Sequence, residues 1–246
     1  MSEIITVTIR FLSKTREARL AVCLMVLILA GSGAAWAGDR LAGTVVLDPG
    51  HGGHDRGAAG VDGTLEKDIN LALARMVRDC LEGAYRVMLT RTGDYRLAPA
   101  DRTATANHAD ADLFVSIHMA GDFSHVSEGI TISSLEGAPS PTEKRSVNVR
   151  PRVCWNTAQI AHLDASGSLA VLIQESISDI LHRQSFVQKA RIAVLQGARM
   201  PAVLVEAGYI TNPAREQQFR ETDSLAAIAD CLCTAIDRFF KSRSGP

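Results

Sequence analysis

The sequence predicts a single-domain α/β fold. Three observations carry that prediction. Short apolar runs suit strands buried on both faces, and between them lie stretches of helical period. Three of the runs deliver a chemistry-bearing residue at or just past their carboxyl ends: His51, His118 and Glu206. Open α/β sheets bind their ligands at that edge.

The chain has 246 residues, 46% hydrophobic and 22% charged, which is a globular composition long enough for one sizeable core. Arg10, Lys14, Arg16 and Arg19 precede an apolar run from Leu20 to Ala30, and small residues lead to Ala35-Trp36-Ala37. That is the pattern of a secretory signal peptide over residues 1–37, leaving 38–246 as the single domain of an exported protein, periplasmic or extracellular. The run is shorter than the ~20 residues of a spanning helix, so no membrane span is expected after cleavage. The remaining 209 residues carry 22 Lys plus Arg against 25 Asp plus Glu, a formal net charge of −3. No basic stripe marks a nucleic-acid partner, and no charge run marks a membrane-binding face. Cys80, Cys154, Cys231 and Cys233 remain, an even number that permits one or two disulfides after export, with pairing unreadable from spacing. Small buried side chains are the ordinary role for at least two of them.

Val45-Val46-Leu47 is the first strand. Pro49, Gly50, Gly52 and Gly53 then force a sharp turn that presents His51. The ordinary alternative is a glycine-rich surface turn that happens to carry a histidine. The turn ends near Asp62-Gly63, where Thr64 can cap a helix over Leu65 to Leu81, with Ile69, Leu73, Met76, Val77 and Cys80 on its core side. Glu66 falls in the first turn of that helix, where the helix dipole alone would account for a carboxylate.

Tyr85 to Thr90 reads as the second strand and Pro99 to His108 as a short helix. Ala111 to His118 is another apolar strand. Two parallel inner strands ending in histidines place two imidazoles close together, with Glu66 one crossover away. Gly121 to His162 reads as an irregular excursion with a strand within Gly129 to Ser133; its Glu128, Glu136 and Glu143 read as solvated, the alternative being a loop carboxylate that covers a metal site. Leu163 to Leu181 is helical, Ile192 to Leu195 a short strand, and Pro201 to Glu206 a further strand. The last helix carries Leu225, Ile228, Leu232, Ile236 and Phe239 toward the core.

Two histidines and a glutamate have the chemistry of a catalytic zinc site, with three protein ligands and a fourth position left to water or substrate. The assignment is His51, Glu66 and His118 as ligands of one Zn2+, and Glu206 as general base toward a water attacking a carbonyl. Structural zinc would favour four ligands rich in cysteine, for which the cysteines are not spaced. His54 and Asp55 lie close enough to His51 to partner it, though polar residues of a solvent-facing turn are the ordinary reading; His108, His125, His162 and His182 read as surface residues. Arg91 and Arg102 read as substrate contacts, loop-orienting residues or surface ion pairs.

The segments LDPGHGGHDRGAAG, LEKDINLALA, ADLFVSIH and PAVLVEAGYITN, in that order between Val45 and Phe219, resemble the zinc-dependent N-acetylmuramoyl-L-alanine amidases that cleave bacterial peptidoglycan. The resemblance implies a mixed, mostly parallel sheet of about six strands flanked by helices, zinc on His51, Glu66 and His118, and Glu206 as the catalytic carboxylate. It departs in two places: the family usually has asparagine at the position of Ala120 and phenylalanine at that of Tyr209. Members regulated by an activator protein carry an inserted, zinc-blocking helix in the interval that holds Gly121 to His162. Three prolines speak against such a helix in this chain. The competing readings are a zinc peptidase acting within the stem peptide and a noncatalytic wall-binding module.

Overall fold

The computed structural model describes residues 41–137 and 155–243. In chain order these form β1 (Thr44–Pro49), α1 (Glu66–Leu81), β2 (Arg86–Leu89), α2 (Pro99–His108), β3 (Leu113–Ala120) and β4 (Ile130–Leu135). A 3-10 helix (Trp155–His162) leads into α3 (Leu163–Leu181), followed by β5 (Ser185–Ala190), a 3-10 turn (Ala193–Leu195), β6 (Ala202–Tyr209), α4 (Pro213–Arg220) and α5 (Thr222–Arg243).

The strands make one six-stranded sheet in the order β2-β1-β3-β6-β4-β5. Every neighbouring pair is parallel except β4 with β6. The expected mixed, mostly parallel α/β sheet is therefore present. Its two faces follow from the alternation of side chains along a strand. Val45, Leu47, Leu113, Val115, Ile117, Val203 and Val205 face the larger core, where Leu73 and Val77 of α1, Leu169 and Ile173 of α3, and Leu232 and Ile236 of α5 cover them. Val46, Phe114 and Ala202 face a smaller core covered by Ala106 of α2 and by Val194 and Leu195. Removing a fully buried side chain of this size from water contributes about 1.5–3 kcal/mol, so the thick face supplies most of the apolar stabilisation. The even-numbered positions of β3 and β6, which include His118 and Glu206, lie on the thinly covered face.

Helix ends have local causes. Pro99 and Pro213 occupy first-turn positions, where the missing N–H is no loss. Asn212 caps α4 by accepting from the backbone N–H groups of Ala214 and Arg215. The expected Thr64 cap is not made: Leu65 takes the N-cap position with no side-chain bond, and the Thr64 N–H is held instead by Glu216 at 3.0 Å.

Other expectations are corrected. Ile192 to Leu195 is not a strand; Ala193–Leu195 is a 3-10 turn whose Val194 and Leu195 are buried against the sheet. The outer strand is β5, which pairs in parallel with β4 and which its mixed polar sequence conceals. Cys80 of α1 is disulfide-bonded to Cys233 of α5, and Cys231 is free and buried. Residues 1–37, Glu143 and Cys154 lie outside the described residues. Among the described residues no helix is long and apolar enough to cross a membrane.

Candidate metal centre and active site

The turn after β1 is held by buried charge. Asp48, fully buried, accepts from Arg102 Nη1 at 2.8 Å and from Ser116 Oγ at 2.7 Å. Arg102 also donates to the carbonyls of Pro49 and His51 at 2.8 and 2.9 Å. Arg91 donates from Nε to Pro49 O at 2.9 Å and from Nη2 to Gly50 O and Lys67 O at 2.9 and 2.7 Å. These two arginines are buried braces, neither surface ion pairs nor exposed substrate contacts. They hold His51 at φ 61°, a left-handed conformation that a non-glycine residue adopts only when its surroundings impose it.

Glu66 enters the same space from the first residue of α1 and is 3% exposed. Its Oε2 accepts the Ala58 N–H at 2.8 Å, and its Oε1 accepts the Met119 N–H at 3.1 Å and Asn70 Nδ2 at 3.3 Å. Oε1 also lies 3.1 Å from His51 Nε2 and 3.0 Å from His118 Nδ1. Burial would push this carboxyl up, but the bonds from His118, His51 and the Ala58 N–H prevail and hold it well below the usual carboxylate range. The hydrogen bond with Glu66 raises His51, against the opposing effect of burial and with help from Asp55. A carboxylate ionised in a buried position, facing two imidazoles, is more than a helix-start glutamate.

The two rings stand edge to face, with centroids 4.9 Å apart. His51, Glu66 and His118 each offer one ligand atom, and these atoms lie within 4.8 Å of one another. Two imidazole nitrogens and one carboxylate oxygen match the donor set of catalytic zinc, so the residues fit the metal. Gly50 completes the packing: a Cβ there would fall on the His118 imidazole.

Glu206 sits beside this group. It is the register partner of His118 on the parallel strand and of Thr131 on the antiparallel one. The Glu206 carboxyl is pushed up by burial; the His118 ring opposes the shift and the Glu66 charge adds to it. A cleft of about 310 Å³ opens at the centre, lined by His51, Arg96, Leu97, His118, Val194 and Leu204. Its floor is the thin face of the sheet, and its walls mix apolar side chains with Asp55, Arg96 and Arg102.

Of the two readings of Asp55 the structure selects the partner, and Glu216, Lys67 and Asp94 join the site without a signal in the sequence. Asp55 Oδ1 lies 2.8 Å from His51 Nδ1, so it orients the ring instead of merely decorating the turn. Glu216, fully buried on α4, accepts the Asp62 N–H at 2.9 Å as well as that of Thr64, which holds the loop leading to Glu66. Lys67 ties Gly53 O at 3.0 Å to Asp94 at 2.7 Å. His54 is exposed, as expected. Neither Glu128 nor Glu136 covers the centre: they pair with Arg215 at 3.0 Å and Arg191 at 3.3 Å.

Residues 45–238 match the family model described as N-acetylmuramoyl-L-alanine amidase. N-acetylmuramoyl-L-alanine amidase AmiA of Salmonella typhimurium is 33% identical over 219 residues, which are 80% of this chain and 75% of that protein. Among solved structures, the N-acetylmuramoyl-L-alanine amidase of Clostridium difficile 630 superposes with a TM-score of 0.69 at 26% identity, over 83% of this chain and all of that one. AmiC2 of Nostoc punctiforme, an N-acetylmuramoyl-L-alanine amidase, gives 0.67 at 26%, over 81% of this chain and 98% of its own.

Proposed function

The chain belongs to the family of N-acetylmuramoyl-L-alanine amidases, and from that premise we propose that it is an exported zinc hydrolase. It cuts the amide bond between N-acetylmuramic acid and L-alanine in bacterial peptidoglycan. The observation that carries the metal assignment is the convergence of His51, Glu66 and His118 within 4.8 Å.

Bound by these three residues, zinc supplies Lewis acidity to the scissile carbonyl and lowers the pKa of a water. The chain's own residues do the rest. Asp55 fixes the His51 ring through Nδ1, leaving Nε2 turned toward Glu66 and His118. Glu66 stays ionised and so presents a negative charge to the cation. Glu206, kept partly out of water, takes the proton of the attacking water on its carboxylate and returns it to the departing nitrogen of L-alanine. Its raised pKa makes it a better proton acceptor than an exposed glutamate. Leu97, Val194 and Leu204 give the substrate an apolar surface beside His51 and His118.

Export by the signal of residues 1–37 agrees with the Cys80–Cys233 disulfide, a bond that persists in oxidising compartments. The partner is the cell wall itself, with an activator protein as a further candidate.

Digestion of purified peptidoglycan by the protein lacking residues 1–37, beside Glu206→Ala, tests the reading when metal content and product masses are measured on both. Stem peptides with a free L-alanine amino group, released by the wild type alone while both proteins hold about one zinc, are expected. New termini within the stem peptide would make it a peptidase instead. Zinc in both proteins with no cleavage would point to masking by the 121–162 segment or to a missing activator, and absence of metal from both would overturn the assignment.

A further inference from the structure

Two or three residues beyond Glu206, where β6 ends, a small pocket of about 50 Å³ is lined by Gly208 and Tyr209 and by Arg183, Arg215 and Glu128. That is several times the ~10–15 Å³ that one water needs. Arg183 Nη2 and Arg215 Nη1 both donate to the same neutral amide oxygen, Oε1 of Gln218, the second at 2.7 Å. Arg215 Nη2 also lies 3.0 Å from Glu128 Oε2. Two guanidinium charges thus share one carboxylate. Each guanidinium has five N–H donors. Among the described residues, these bonds engage one donor of Arg183 and two of Arg215. Burial, followed by the neighbouring Arg215 charge, lowers the pKa of Arg183. Cations brought together over a neutral acceptor, with donors left over, present a place for an anion.

Position says which anion. A strand rises about 3.3 Å per residue, which puts the pocket roughly 7–10 Å along β6 from Glu206. An extended peptide covers that distance in about two to three residues. We propose that Arg183 and Arg215 form a carboxylate pocket for the peptide side of the substrate, taking an acidic group two to three residues beyond the scissile amide and selecting substrates by that charge. The proposal rests on the amidase reading above, which places the scissile amide between the metal centre and Glu206.

The test uses synthetic stem peptides beginning with L-alanine, with the carboxylate at residue two or three either free or converted to the amide. Their binding to the full chain after signal removal is measured by calorimetry, for wild type, Arg183→Gln and Arg215→Gln. Wild type should bind one free acid about tenfold or more tighter than its amide, and either variant should lose most of that ratio. Equal affinity of wild type for acid and amide would overturn the pocket, as would variants that both keep the full ratio. Should one variant lower the melting midpoint, the wild-type ratio and the other variant still decide. Cleavage of peptidoglycan is scored separately: a protein that discriminates acid from amide yet never cuts keeps the pocket and loses the amidase reading, and one that cuts without discriminating does the reverse.

Discussion

His118 and Glu206 are register partners on adjacent parallel strands, β3 and β6. Side chains at such positions emerge on the same face of the sheet, so an imidazole and a carboxylate with no hydrogen bond of its own among the described residues are placed side by side by the sheet itself. The two should then be separable by mutation. His118→Ala is expected to lose the metal and with it all activity. Glu206→Gln should retain about one zinc while turnover falls roughly 10²–10⁴-fold, the usual worth of a positioned acid–base group. Metal analysis and peptidoglycan digestion on the same samples check both; a Glu206→Gln protein that turns over normally would remove Glu206 from the chemistry.

The pH profile carries the same residue's signature. Burial raises the Glu206 carboxyl pKa, the His118 ring opposes that shift and the Glu66 charge adds to it. A base works only when ionised, and a raised pKa means it is still protonated at a pH where an ordinary glutamate, near 4.3, has lost its proton. Activity should therefore fall as pH drops through a value above that range. An acidic limb of kcat/KM that the Glu206→Gln variant retains unchanged would exclude Glu206 as the group that titrates.

Gly50 tests how finely the centre is packed. An added Cβ would land on the His118 imidazole, and the backbone there is not free to retreat. The Gly50 N–H is bonded to Ile117 O at 2.9 Å, and its carbonyl accepts from Arg91 and Asn70. The ring has to move instead. Gly50→Ala is expected to fold, by circular dichroism, and to bind zinc about 10–100-fold more weakly, the loss typical of disturbed ligand orientation. Unchanged affinity in a competition titration would show that the loop yields.

Arg102 is the partner of a carboxylate with no access to water. Its guanidinium lies 2.8 Å from Asp48, and the two side chains are 5% and 0% exposed. Arg102→Met leaves that charge without its ion pair and should lower unfolding free energy by about 3–5 kcal/mol. Denaturant midpoints measure it, and the double variant with Asp48→Asn should recover part of the loss. A single variant as stable as wild type would mean that the hydroxyls of Thr90 and Ser116, which both donate to Asp48, suffice for it.

Much of this was written locally. Val45 to Leu47, Leu113 to Ile117 and Ala202 to Val205 are apolar runs that form strands wherever a core is available, and they announce themselves without knowledge of neighbours. So does α1, whose Ile69, Leu73 and Val77 recur at helical spacing. Strand β5 did not, because Ser185–Ala190 mixes Lys189 and Gln188 with Phe186 and Val187, and an outer strand needs only one neighbour and little burial. Ile192 to Leu195 misled for the opposite reason. A short apolar run is equally at home in a strand or a buried turn, and periodicity over four residues does not separate them. Helix α4 is mostly polar, and only the Asn212-Pro213 start marks it.

By itself, then, the sequence determined the alternation of strands and helices, the place where the chain must turn, and the delivery of His51, His118 and Glu206 to the carboxyl ends of their strands. Those are properties of residue type and short-range spacing. Tertiary structure alone decided that Glu66 turns inward to meet both imidazoles, that Asp55 orients His51, that Arg91 and Arg102 are buried braces, and that Cys80 finds Cys233 across 153 residues. Each of these depends on desolvation and contact between segments far apart in the chain. A side chain's charge, partner and pKa are set by what surrounds it in space, and that neighbourhood comes into being only when the sheet has closed.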